Sequence, residues 1–208
     1  MKRTSFFAKA LMGAAVVTMS MGAVSCKNDK QEDPAEVAEE QNEQKFDDTA
    51  NDNLEDDSEY VTMAAEVDMK EIELGKLAQQ KGSNAEIKAF GKMMVDQHTT
   101  SSATTKALAT KKNITLPMGT TDKMKEAMDE LNKKTGKEFD EAYVDMMVDS
   151  HQMTIEKIEK ASENAKDEEI RMWAANMLPV LRTHLDHAKK LDEKMEGNTS
   201  STGAAHNH

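Results

Sequence analysis

Apolar side chains recur three and four positions apart along most of the chain, and the last long segment shows the pattern most plainly. Ile170, Trp173, Met177, Leu181, His184, Ala188, Leu191 and Met195 fall on one stripe of a 3.6-residue helix. Five helices are predicted by such stripes and the residues that punctuate them. The first covers about 58–81 and stops at Gly82, read as a left-handed C′ residue. Ser83-Asn84-Ala85-Glu86 then reads as a capping box opening a second helix that reaches about Lys112. Asn113 to Thr121, with Pro117 and Gly119, is a connector, and a short helix over 122–134 ends at Gly136. The fourth helix covers about 137–162. The fifth opens on Asp167 as its cap and runs to Met195, with a bend expected at Pro179, which lacks an N–H and frees a carbonyl near Ala175. No alternating β-branched run interrupts this, so the fold class is all-α: a helical bundle with an additional short helix.

One stretch occurs twice. Phe90 to His98 aligns without gaps to Tyr143 to His151, with Met-Met-Val-Asp and the terminal His identical and an aromatic matched by an aromatic. Each copy follows a glycine, Gly82 or Gly136, at nearly the same distance. The match fits duplication of a helix–Gly–helix unit, and shared packing demands would also produce it.

Charge and hydropathy set the N-terminal portion apart. Lys2 and Arg3 precede the largely apolar Phe6–Val17, and small residues lead to Cys26, the single cysteine. That layout is a secretory signal, too short for a permanent span. Ala23-Val24-Ser25-Cys26 resembles the bacterial lipobox, with alanine where leucine is usual, which implies lipidation at Cys26. The expected organisation is a signal peptide over 1–25, then Cys26 and a disordered acidic tether over 26–58. The bundle domain follows over 59–196, and a disordered tail over 197–208. The formal charge is −12, and residues 27–59 hold 14 acids against Lys27, Lys30 and Lys45. Acidity concentrated in a segment with few large apolar residues predicts a self-repelling spacer. The same charge gives no electrostatic reason to bind nucleic acid. The expected location is the bacterial cell envelope, anchored by lipid to the outer membrane. The membrane is the one partner so implied, and a protein or small-molecule partner is left open.

Chemistry narrows to one constellation. Helical phase turns His98 toward Ile87, Phe90 and Met94, His151 toward Met147, Ile155 and Ile158, and His184 into its own seam, so three helices each offer an imidazole to the interior. On the first helix Glu66 and Glu73, seven apart, share a face and are the carboxylate candidates. Met94 and Met147 each stand four before a histidine. Imidazole with carboxylate suits zinc, and thioether with imidazole suits Cu(I). The alternative is that each histidine hydrogen-bonds a neighbouring helix and the methionines fill gaps. A di-iron site is disfavoured: it needs Glu three before His on two helices, where Val95, Val148 and Leu181 stand, and Asp96 and Asp149 are turned roughly 160° away. His206 and His208 read as surface residues of the tail.

The run Glu71 to Ala78, the Met-Met-Val-Asp-x-His of Met93 to His98, Phe139 to His151, and Leu178 to Leu185 together resemble the family called domain of unknown function 4142. The resemblance covers about 60–195 and implies a ferritin-like bundle in the envelope, with no settled activity. No nucleophile triad, phosphate-cradling glycine loop or CxxC is present. The function expected is therefore a non-catalytic binding or stress-related role. Metal binding is the alternative, and a metal-dependent oxidoreductase rests on fold analogy alone.

Overall fold

The computed structural model describes residues 32–47 and 52–202, with side chains in the second stretch from 54 to 196. The expected signal peptide over 1–25, Cys26, His206 and His208 lie outside them. Six helices are described: α1 (Pro34–Phe46), α2 (Asp52–Lys81), α3 (Ala85–Lys112), α4 (Asp122–Asn132), α5 (Gly136–Asn164) and α6 (Glu168–Thr202). No strand occurs among the described residues.

Four long helices form the bundle as two antiparallel hairpins, α2–α3 and α5–α6, which pack through α2 on α5 and α3 on α6. At one end Ser83, before α3, bonds Asp140, the fifth residue of α5, and Lys194 of α6 pairs with Glu86. At the other end Lys112, closing α3, pairs with Asp167 before α6. Thus α3 and α5 both start at the same end, and the segment holding α4 crosses the full length of the bundle between them. Two hairpins joined by one long crossover is the connectivity of ferritin-like bundles.

The helix ends follow the punctuation with two corrections. Asp167 caps α6 by accepting from the amides of Glu169 (2.8 Å) and Ile170 (3.2 Å). The cap of α3 is Asn84, whose side chain accepts from Ile87 N (3.0 Å), and Ser83 instead donates to Asp140. Gly82 is not left-handed; among the described residues those with positive φ are Asn113, Gly119 and Gly136. Glycine is needed at 82 for space, because a Cβ there would stand 2.7 Å from Ala78 O. The helix α6 continues through Pro179.

The larger correction concerns the acidic segment. Residues 34–46, expected within a disordered tether, form α1, and α2 begins at Asp52, six residues earlier than expected. Ala35, Ala38, Asn42 and Phe46 are spaced three, four and four apart and are all buried. Phe46 joins the core with Val61 and Ile158. Asn42 bonds both groups of Thr115: its amide donates to Thr115 O (2.9 Å) and its carbonyl accepts from Thr115 N (2.7 Å). Thirteen residues with one narrow apolar stripe look like a spacer when averaged, yet that stripe is wide enough to cover a groove.

The core has two apolar halves. One gathers Val61, Ala64, Ile158, Ile170, Ala174 and Leu181. The other gathers Leu74, Phe90, Met94, Phe139, Tyr143, Met147 and Leu191. On every long helix the boundary between them is polar: Asp68 and Glu71 on α2, His98 on α3, Ser150 and His151 on α5, His184 on α6. All six are buried, none more than 4% exposed.

Candidate metal centre

The three histidines predicted to point inward do so and meet. Their ring centroids form a nearly even triangle with sides of 5.8, 5.1 and 5.1 Å. One ligating nitrogen from each ring lies within 4.8 Å of the other two. Close packing of α2 against α3 sets the height of His98: Gly75 and Gly91 face each other, and a Cβ on Gly75 would stand 2.6 Å from Gly91 O.

The carboxylates that reach the histidines are Asp68 and Glu71, not the two expected. Glu73 is half-exposed and pairs with Lys76 one turn on (2.7 Å). Glu66 is buried, but it pairs with Lys123 of the α4 segment (3.0 Å), away from the rings. The signal for the correct pair was present in the sequence. Val61, Ala64, Asp68, Glu71, Leu74 and Ala78 continue one three-and-four stripe, so the two acids interrupt the apolar face itself. Met94 and Met147 are fully buried within the core. Met147 takes part in the cluster through its backbone carbonyl.

Each imidazole is fixed by an oxygen on its outer nitrogen. His98 Nδ1 meets Asp68 Oδ1 at 2.8 Å, His151 Nδ1 meets the Met147 carbonyl at 2.8 Å, and His184 Nε2 meets Gln97 Oε1 at 2.7 Å. A carbonyl oxygen only accepts, so His151 Nδ1 carries a proton, and the Gln97 and Asp68 contacts ask the same of their partners. The inner nitrogens then converge. His98 Nε2 lies 2.9 Å from Glu71 Oε2, His151 Nε2 lies 3.3 Å from the same oxygen, and His151 Nε2 lies 3.1 Å from His184 Nδ1. Neither Glu71 Oε2 nor His98 Nε2 has a well-aligned hydrogen bond. The other Glu71 oxygen accepts from Ser150 (2.7 Å), which in turn accepts from Lys70 (3.1 Å).

Electrostatics divide the three rings. Burial opposes charge on His98, but Glu71 and Asp68 overcome that and hold its pKa at about 10. For Glu71 burial is likewise outweighed, by His151 and His98, which keep it well below the carboxylate range. Burial pushes Asp68 up despite its bond to His98. His151 is lowered by burial in spite of Glu71. His184 falls to about 3, through burial first and the charge of His98 second. Asp68, Glu71 and one imidazolium leave an anionic excess inside the bundle, the condition a bound cation relieves.

The family profile of the domain of unknown function 4142 matches residues 39–191, most of the chain. The chain belongs to that family. No curated protein and no solved structure matches it. The family region starts inside α1, so α1 is counted with the bundle, and it contains every member of the cluster. Family 4142 is defined without an activity, so the chemistry of this member rests on its own geometry.

Proposed function

We propose that this domain binds a single divalent transition-metal ion, zinc by its donor set, through His98, His151 and His184 with Glu71. Asp68, the Met147 carbonyl and Gln97 are the outer groups that orient the rings. The observation that carries this reading is the proton count: three imidazoles committed to outer acceptors turn lone pairs toward one another and toward a carboxylate oxygen at 2.9–3.3 Å. Bare lone pairs at such distances repel, and a cation among them removes the conflict. Tetrahedral zinc with bonds of about 2.0–2.1 Å has ligand–ligand edges of about 3.3 Å, close to these separations. Histidine ligands held by a carboxylate or carbonyl on the far nitrogen are the usual second shell of such ions. Copper(I) is less well matched, since the donors that meet at the cluster are imidazole nitrogens and a carboxylate oxygen, while Met94 and Met147 pack in the apolar core. A pair of protons, one on His98 and one between His151 and His184, is the competing occupant. Metal content of protein purified without added metal, and its change in His184→Ala, separates the two.

The sequence supports placing this domain in the bacterial envelope, held by lipid on Cys26, with seven residues between Cys26 and the start of α1 at Pro34. Cys26→Ser should move the protein from the membrane to the soluble fraction. A variant still in washed membranes would remove the lipid from this reading. The role is binding or handling of the ion, and no group here is assigned to catalysis.

A further inference from the structure

An ion held inside a helical bundle needs a way in. Asp68, Glu71 and His151 are shut off from solvent, at 1%, 0% and 0% exposed. His98 and His184 are the members of the cluster that meet a cavity: both line a cleft of about 680 Å³ between α3 and α6. Of the two contacts between the hairpins, α3 on α6 is the looser, and α3 turns the short polar side chains of Thr100 and Ser101 into the gap. The cleft reaches the surface, where Thr100 on one wall is exposed and Val180 on the other is 44% exposed. Because α3 and α6 run antiparallel, these two stand about one turn along the cleft from Gln97 and His184, which bond each other across it.

The three rings are not equally fixed. His98 is held by Asp68, itself buried, and His151 by the Met147 carbonyl of its own helix. Neither partner can shift without disturbing a close-packed interior. His184 is held instead by Gln97, a partly exposed side chain on the facing helix. That 2.7 Å bond joins the two walls where the cleft meets the rings. Once its outer nitrogen is released, the His184 ring can change rotamer, withdraw its inner nitrogen and open the cluster to water.

We infer that the ion enters and leaves through this cleft, with His184 as the ligand that swings aside and Gln97 as the latch that holds it. The inference rests on the metal reading above and adds how that site exchanges its ion. Gln97 is a positioning residue, acting on exchange through His184.

Two rates test this: uptake of zinc by the metal-free protein, and release of zinc from the loaded protein to an excess of a coloured chelator, with Kd measured alongside at equilibrium. Gln97→Ala should release zinc roughly tenfold faster than the wild type. Gln97→Glu keeps an oxygen acceptor for His184 and should stay within about threefold. Thr100→Phe and Val180→Phe narrow the route without altering a ligand, and each should slow uptake and release together by roughly fivefold, with Kd within about twofold. Joint slowing marks a barrier on the path, since Kd is the ratio of the two rates. Ala103→Phe, exposed on the same helix but outside the cleft lining, should change neither rate by more than about twofold. Zinc binding with both rates unchanged in the two cleft variants, or with release unchanged in Gln97→Ala, would overturn the inference and leave the metal site standing. Failure of the wild type to bind zinc overturns the metal reading and this inference with it.

Discussion

Two glutamates two residues apart on α2 have opposite fates. Glu73 holds Lys76 at the surface, and such pairs contribute at most about 1 kcal/mol. Glu71 is fully buried against two imidazoles. Glu73→Ala should therefore leave stability within about 0.5 kcal/mol of wild type in urea melts. His98→Leu, which strands Asp68 and Glu71, should cost about 3–5 kcal/mol in the metal-free protein. Comparable costs for the two would place Glu73 in the interior after all. The histidines were legible because their phase is unambiguous within strongly periodic segments. The acids were harder to read: a charged residue on an apolar stripe looks like a break in the stripe until a partner on another helix explains it.

The same residues set the pH dependence of the metal-free protein. His98, raised to about 10 when folded, stabilises fully below the unfolded histidine value near 6.5, and that contribution is lost as pH rises toward 10. His151 and His184 are lowered when folded, so the unfolded chain takes up protons there first and stability falls as pH drops below about 6.5. Stability should peak near pH 6.5 and decline on both sides, by up to about 1.4 kcal/mol per pH unit for each group. Denaturant melts at pH 5, 6.5 and 9 check it; a monotonic rise from 5 to 9 would contradict the assignment of His98 as the charged ring.

Among the elements, α1 and the α2–α3 contact separate what pattern conveys from what only packing reveals. The four bundle helices and short α4 follow from their stripes and caps. The helix α1 was hidden because 14 acids in the surrounding segment outweigh Ala35, Ala38 and Phe46 in any average. Cleavage by a broad-specificity protease should spare 34–46 in the native protein, and rapid cutting there would show that α1 does not stay docked. Gly75 and Gly91 are likewise silent in sequence, because glycine inside a helix reads as a weakness of roughly 1 kcal/mol. Here each lets a backbone approach the other, so Gly75→Ala should destabilise by about 1–3 kcal/mol through forced separation of α2 and α3. A neutral or stabilising result would mean the helices have room to part.

At the scale of the whole molecule the bundle is two apolar halves with a charged layer between them. Five of the six groups in that layer are titratable, an expensive arrangement for a domain that could have been filled with leucine. The proposed ion would give the layer a reason, and the single crossover brings one histidine from each of α3, α5 and α6 to a common height while α2 supplies the acids. The central claim is therefore best tested by thermal melts of the metal-free wild type and of His151→Ala with increasing zinc. An ion bound only by the native state at a thousand times its Kd adds about 4 kcal/mol, so the wild-type midpoint should climb with zinc. His151→Ala should not respond, while a change at the tail, His206→Ala, should keep the full wild-type shift. A wild-type midpoint indifferent to zinc, or an equal shift in His151→Ala, would mean that protons fill the layer and the cluster holds no metal.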